Sequence, residues 1–318
     1  TLILSCFKVP LDSGQSLSLP PMSETTILSP SKPSLIKEAL RLGKLRLSTS
    51  VVFSSVAGYF LGMEVFSWVQ LLLLIFGGIT VVAASNAYNQ IYEKDRDALM
   101  NRTKGRPLPL GTLTLREAWF IATFLLVVGL WALFVINPMT AYFGALSVVL
   151  YTLVYTPLKA KTPLAVFVGA IPGAIPYMLG WVAARNDFDI ETGTLFAQQF
   201  FWQFPHFWAI AWFSYDDYAK AGYYLLPSKA KDRPSQLYII IYTVWMMMVG
   251  ILPAFGITGE LQLSWLGAAA VGALGYWVLN NAILLLKDAD DKRARKLMLS
   301  SIAYLTGMQI IYIIDRFI

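Results

Sequence analysis

Nine apolar runs, each about as long as a membrane is thick, dominate this sequence. A helix needs about 20 predominantly apolar residues to cross a hydrocarbon core of about 30 Å. Charged residues make up only 14% of the chain, roughly half the usual share in soluble domains. We therefore expect an all-α polytopic membrane protein with a single membrane domain over residues 34–318. The runs lie near residues 47–63, 67–88, 118–136, 139–157, 163–184, 195–213, 236–258, 262–286 and 297–315.

Residues 1–33 differ from the rest of the chain because they are rich in Ser and Pro and lack a sustained amphipathic period. This composition predicts a disordered tail, and Met22 would be a natural start of the protein. The single cysteine, Cys6, falls in this tail, so neither a disulfide framework nor a cysteine metal site is expected.

Basic residues occupy alternate connections between the apolar runs. All 25 Lys and Arg except Lys8, Arg185 and Arg316 lie in the leader or in every second loop. Since positive loops stay on the cytoplasmic side, the pattern predicts a cytoplasmic N-terminus and an outer C-terminus. The net charge of +6 then needs no nucleic-acid partner and is compatible with anionic lipid headgroups.

The end of the second run carries the most informative polar residues. Asn89, Glu93 and Asp97 are spaced i, i+4 and i+8, so a helix continuing through them places them on one face, with Asp95 roughly opposite. These oxygen ligands suit Mg²⁺, which usually takes one or two carboxylates and completes its shell with substrate phosphates. Cations able to hold a diphosphate follow at Arg102, Lys104 and Arg106. The alternative is a solvated loop of mixed charge that only fixes topology.

A second acidic group, Asp216 and Asp217, follows the sixth run at another cytoplasmic helix end, with Lys220 close behind. Two acidic groups at matching depths are compatible with a two-lobed site for Mg²⁺ and diphosphate. Taken alone, the second group is also typical of an ordinary helix terminus.

The only histidine, His206, lies among aromatic residues that include Trp202. A lone histidine in a membrane helix is by default an interhelical hydrogen bonder. Because neutral imidazole is a natural haem-iron ligand, it is also a candidate to bind or orient an iron-bearing planar substrate.

Several motifs in order resemble the UbiA-type intramembrane prenyltransferases and, within them, the haem-modifying branch. The first motif, N-x-x-x-D-x-x-x-D, matches Asn89, Glu93 and Asp97, with Glu at the middle position. The second D-x-x-x-D is absent, because Lys220 follows Asp216 by four and Ala221 follows Asp217 by four. Further matches are Met100, Arg102, Thr103, Arg106 and Pro107; Tyr155, Pro157 and Lys159; Gly169, Gly173 and Gly180; Trp202, Gln203, Pro205 and His206; and Asp217, Tyr218, Ala221 and Gly222.

This resemblance implies helices around a central cavity and a reaction in the bacterial inner membrane. A farnesyl group would pass from farnesyl diphosphate to a vinyl group of haem b, with addition of water. It implies Mg²⁺ and diphosphate at Asn89, Glu93, Asp97, Asp216 and Asp217. The implied substrate-binding residues are Arg102, Lys104, Arg106, Tyr155, Lys159 and Lys220, with Trp202 and His206 on the haem side.

Three other functions remain open from the sequence. The same fold could prenylate a quinone precursor or chlorophyllide, although a phenolic acceptor gives no reason for His206. A transporter usually carries charge at mid-membrane, whereas charged residues here are confined to the ends of the apolar runs. A non-catalytic haem-binding assembly factor would be indifferent to loss of Glu93 and Asp97.

Overall fold

The computed structural model describes residues 34–318, which are helical throughout apart from their connections and contain no strand. The predicted tail at 1–33 lies outside the described residues. In chain order the α-helices are α1 Leu35–Leu42, α2 Leu45–Gly62, α3 Trp68–Asp97, α4 Leu115–Ile136, α5 Pro138–Val149, α6 Thr156–Leu158, α7 Ala165–Arg185, α8 Ile190–Phe213, α9 Tyr215–Lys220, α10 Arg233–Ile251, α11 Trp265–Asp288 and α12 Asp291–Phe317.

Seven helical segments between residues 34 and 318 are long and apolar enough to cross a membrane. They are Trp68–Asp97, Leu115–Ile136, Pro138–Leu158, Ala165–Arg185, Arg233–Phe255, Trp265–Asp288 and Asp291–Phe317. The remaining two predicted runs, 47–63 and 195–213, form helices α2 and α8, of 18 and 24 residues. The expectation of an all-α polytopic membrane fold is therefore confirmed.

Helices α2 and α8 carry polar side chains that face inward. Gln309 of α12 donates a hydrogen bond to Ser54 of α2 at 3.0 Å. Gln198 of α8 donates to the Tyr312 hydroxyl at 2.7 Å. All four side chains are buried, so their polar groups are satisfied inside the bundle, as an apolar surrounding requires.

Glycines bring α2 and α7 into close backbone contact. A Cβ added to Gly58 would collide with the Tyr177 carbonyl oxygen, and one added to Gly180 would collide with the Ser55 carbonyl oxygen. Small residues at such crossings let membrane helices pack backbone to backbone. This contact fixes α2, and therefore the residue that precedes it, Lys44, relative to α7.

The helix after α5 changes pitch before it reaches the loop that follows it. Residues Leu150–Tyr155 form a π-helix, a conformation that often occurs at functional sites. Thr156 follows it and donates its hydroxyl proton to the Tyr151 carbonyl at 2.8 Å. The altered pitch sets the direction in which Thr156 and Lys159 approach the end of α3.

Candidate active site at the end of helix α3

Three polar residues lie on one buried face at the end of α3. Asn89, Glu93 and Asp97 are 2%, 4% and 0% exposed, whereas Asp95 is exposed. The helix continues to Asp97, so the predicted shared face is confirmed. Asn89 donates through Nδ2 to the Thr156 hydroxyl at 3.2 Å, which leaves its amide oxygen free to accept.

Glu93 is held by a cation and a phenol from distant parts of the chain. Lys159 Nζ lies 2.5 Å from Glu93 Oε1, and the Tyr223 hydroxyl donates to the same oxygen at 2.9 Å. Burial alone lowers the pKa of Lys159, but the Glu93 carboxylate outweighs it and raises the pKa above its usual value. Lys159 therefore stays charged beside the carboxylate.

Asp97 has one paired and one unpaired carboxylate oxygen. Arg106 Nη1 lies 2.5 Å from Asp97 Oδ2, and the Thr103 hydroxyl donates to the Asp97 backbone carbonyl at 2.8 Å. The other oxygen, Oδ1, is buried without a hydrogen-bond partner among the described residues. A buried, unpartnered carboxylate oxygen is costly unless a ligand completes it, and a hard cation such as Mg²⁺ fits that position.

Lys44, one of the basic residues of the leader, also lies near this cluster. It precedes α2 in a left-handed conformation with φ of 48°. Burial, with the nearby Arg106 and Lys159 cations, lowers the pKa of Lys44 to about 7. The cluster thus holds three basic side chains against the carboxylates of Glu93 and Asp97, a balance that favours an anionic ligand.

The second acidic group meets the loop that follows α3. Asp217 accepts hydrogen bonds from the backbone N–H groups of Asn101 at 2.8 Å and Arg102 at 3.1 Å. Lys220 Nζ lies 3.1 Å from its Oδ1. Although burial acts in the opposite direction, these donors hold the pKa of Asp217 below its usual value. Asp216, by contrast, is exposed.

The cations of the loop after α3 differ in their surroundings. Arg106 is tied to Asp97, whereas Arg102 is exposed and lies over the Tyr218 ring, with its Cζ 5.4 Å from the ring centroid. Lys104 is also exposed. The structure thus brings Arg106 and Lys159 to the buried carboxylates and leaves Arg102 and Lys104 at the outer edge of the loop.

Aromatic rings line the site next to Lys159. Its Nζ lies 4.9 Å from the centroid of the Tyr155 ring, which packs against Tyr151 at a centroid distance of 5.3 Å. Gly169 makes this arrangement possible, because a Cβ there would approach the Tyr155 ring to 2.6 Å. The predicted residue Tyr155 therefore lies beside the cluster, where its ring face can stabilise positive charge.

His206 lies on α8, about two turns before the end of that helix, and contacts α12. Its Nδ1 is 3.0 Å from the Ser301 hydroxyl. The Trp202 ring stacks on the imidazole with centroids 4.7 Å apart and an interplanar angle of 21°. Trp202 also donates through Nε1 to the Ser301 carbonyl at 2.5 Å.

Protein ligands alone do not complete a metal site here. Within residues 34–318 no group of three or more His, Cys, Asp or Glu side chains could hold a metal ion. Mg²⁺ at Asp97 would therefore depend on oxygens from a bound phosphate group, as is common for this ion. The residues fit a metal ion whose coordination shell is completed by the oxygens of a diphosphate.

Comparison with known proteins identifies relatives of this chain. Residues 51–305 match the UbiA prenyltransferase family. A protoheme IX farnesyltransferase from Flavobacterium psychrophilum is 54% identical over 300 residues, which cover 93% of this chain and 100% of the relative.

Two solved structures share the fold at low sequence identity. A digeranylgeranylglyceryl phosphate synthase aligns with a TM-score of 0.73 at 19% identity, over 89% of this chain and 98% of that one. A UbiA homologue from Archaeoglobus fulgidus, bound to DMAPP and Mg²⁺, aligns with a TM-score of 0.59 at 16% identity, over 86% and 99%.

Proposed function

The chain belongs to the UbiA prenyltransferase family, and from this premise we propose that it transfers a farnesyl group from farnesyl diphosphate to a vinyl group of haem b. Water adds in the same reaction, and the product is haem O. The acceptor and donor follow from the relative named a protoheme IX farnesyltransferase. The observation that carries the proposal is the buried cluster at the end of α3. There Asp97 Oδ1 has no hydrogen-bond partner among the described residues, and the cations Lys44, Arg106 and Lys159 act on the carboxylates of Glu93 and Asp97.

The diphosphate of the donor binds at this cluster. Lys44 and Lys159 offer ammonium groups, and Arg106 offers a guanidinium whose remaining N–H groups can form forked hydrogen bonds to phosphate oxygens. Asp97 Oδ1 and the amide oxygen of Asn89 would hold Mg²⁺, which neutralises charge on the leaving diphosphate when bound. Glu93 supports Lys159 directly and belongs to the same ligand set. Asp216 and Asp217 remain candidates for a second lobe of this site.

Bond cleavage follows from the charge balance of the cluster. The C–O bond to the diphosphate breaks heterolytically, and its electron pair leaves with the diphosphate, which the basic side chains stabilise. The allylic cation that remains lies near the aromatic faces of Tyr155 and Tyr151, which attract positive charge. The terminal carbon of the haem vinyl group attacks this cation. Water then captures the new cation beside the porphyrin and releases one proton.

His206 favours haem as acceptor over a phenolic compound. It is the only histidine in the chain, and its side chain is partly exposed rather than fully enclosed. An imidazole can ligate haem iron, while Trp202, stacked on it, offers an aromatic surface to a planar ring. Of the other predicted cations, Arg102, Lys104 and Lys220 lie nearer the loop surface, where they suit the entry of an anionic substrate.

The protein is integral to the membrane, and we place it in the bacterial inner membrane with its N-terminus in the cytoplasm. The end of α3 then faces the cytoplasm, as the basic loops predict. A farnesyl diphosphate molecule binds with its head at this interface and its tail among the helices.

The test is an assay of the purified protein with haem b, farnesyl diphosphate and Mg²⁺, followed by mass spectrometry of the extracted haem. A farnesylated and hydrated haem that is lost on addition of a chelator supports enzyme, acceptor and metal together. Prenylation of a quinone precursor or chlorophyllide instead would keep the donor site and overturn the acceptor. Haem binding without any prenyl transfer would favour an assembly factor.

A matched variant tests the role of His206. His206→Ala should weaken binding of ferric haem while leaving binding of farnesyl diphosphate unchanged, because the diphosphate cluster does not include His206. Equal weakening of both ligands would assign His206 to interhelical packing alone.

A further inference from the structure

Ser301 contacts His206 and has a single hydroxyl proton whose destination can be worked out. The Ser301 hydroxyl lies 2.7 Å from the Met298 backbone carbonyl and 3.0 Å from His206 Nδ1. A carbonyl oxygen can only accept a hydrogen bond. The serine proton therefore goes to Met298, and the serine oxygen is left to accept from the imidazole.

This arrangement determines the tautomer of His206. Because Ser301 Oγ accepts, Nδ1 must carry the ring proton, and in the neutral imidazole Nε2 then has the lone pair. Within residues 34–318, His206 Nδ1 and the neighbouring Trp202 Nε1 each have a hydrogen-bond partner. His206 Nε2 has none within the same residues.

A second contact restricts rotation of the imidazole. Trp202 stacks on its ring and is itself anchored through Nε1 to the Ser301 backbone carbonyl at 2.5 Å. One residue of α12 thus holds both rings, the imidazole through its hydroxyl and the indole through its carbonyl.

We infer that Ser301 is a positioning residue that holds the proton of His206 on Nδ1 and thereby presents Nε2 to the iron of haem b. The inference rests on the proposed function, which places haem b at His206. Metal-ligating histidines commonly donate their other ring N–H to an acceptor that fixes tautomer and orientation. Ser301 supplies that acceptor, so it acts on haem binding without touching the haem itself.

The experiment titrates ferric protohaem IX into the detergent-purified full chain and follows the Soret absorption band. Ser301→Ala removes the acceptor and should weaken haem binding by about tenfold, the lower end of the effect typical of such partners, with a shift of the Soret band. Ser300→Ala is the matched control, because its hydroxyl is equally buried but bonds to the Leu297 carbonyl at 2.9 Å. Ser301→Thr keeps a hydroxyl and should restore the wild-type spectrum.

Farnesyl diphosphate binding, measured in parallel, should be the same in all three variants. If Ser301→Ala matches Ser300→Ala in haem affinity and spectrum, or if it weakens both substrates equally, the inference is overturned. His206→Ala separates this failure from failure of the proposed function. If His206→Ala loses the haem spectrum and Ser301→Ala keeps it, only the role of Ser301 is refuted. An unchanged spectrum in His206→Ala removes the haem site itself.

Discussion

Replacing Asp97 by Asn tests the proposed donor site with the smallest change of shape. The side chain is fully buried, and its Oδ2 pairs with Arg106, whose side chain is 17% exposed. Asparagine keeps an oxygen that can accept from Arg106 but loses the negative charge and offers an amide group where Oδ1 now has no partner. The variant therefore keeps the local packing and removes the proposed metal ligand.

The magnitude follows from the burial of this pair. Removing one partner of a buried ion pair destabilises the fold by about 3–5 kcal/mol, and the retained hydrogen bond to Arg106 places the loss of unfolding free energy in Asp97→Asn near the lower value. Losing one group that stabilises transition-state charge costs about 2.7–4 kcal/mol, so kcat/KM should fall by roughly 100-fold or more. We also expect the Mg²⁺ concentration for half-maximal activity to rise, because a carboxylate ligand has been lost.

The assay measures haem farnesylation across a Mg²⁺ titration, with thermal unfolding as a check of the fold. Asp95→Asn is the matched control, since Asp95 lies on the same helix but is exposed, and it should behave as wild type. Asp97→Asn with kcat/KM and Mg²⁺ dependence close to those of Asp95→Asn would refute the assignment of Asp97 to the metal.

Three further perturbations probe the surroundings of the cluster. Because the pKa of Lys44 is lowered to about 7, its charge is present below pH 7 and lost above it. Affinity for a non-hydrolysable farnesyl diphosphate analogue, measured by calorimetry, should therefore fall by up to about tenfold per pH unit above pH 7. The Lys44→Arg variant, whose side chain stays charged, should lack this pH dependence. Tyr223→Phe removes the hydrogen bond that the Tyr223 hydroxyl donates to the charged Glu93. Such a bond is worth about 1.5–3 kcal/mol, so kcat/KM should fall at least tenfold; wild-type kinetics would contradict this. Gly180→Ala should lower the melting temperature or prevent folding because its Cβ meets the backbone of α2, whereas Gly193→Ala, with open space around it, should melt as wild type.

Local spacing predicted the part of the site that one helix supplies. Asn89, Glu93 and Asp97 follow the helical period, so their shared face and the exposure of Asp95 could be read from the sequence. The apolar runs likewise predicted the long helices, because membrane helices require uninterrupted apolar length. Helices α2 and α8 were predicted as well, although both carry polar residues on their inner faces.

Partners from distant parts of the chain could not be predicted in this way. Tyr223 reaches Glu93 across 130 residues, and no local pattern marks it as different from the other tyrosines. Lys44 was one basic residue among several in the leader, and only the packing of α2 directs it toward the cluster. The contact of Asp217 with the backbone at Asn101 likewise depends on how two loops meet, so its assignment to a metal stays a prediction.

The long sequence separation of these contacts has a consequence for biosynthesis in the membrane. A nascent chain that has inserted α3 already carries the Glu93 carboxylate, but Lys159 and Tyr223 are synthesised later. Domains assemble progressively during synthesis, and contacts between distant segments form last. The proposed diphosphate site is therefore complete only once the chain is made beyond Tyr223, and His206 meets Ser301 later still. An insertion intermediate that ends before Lys159 therefore has the carboxylates of α3 without the cation and the phenol that hold Glu93.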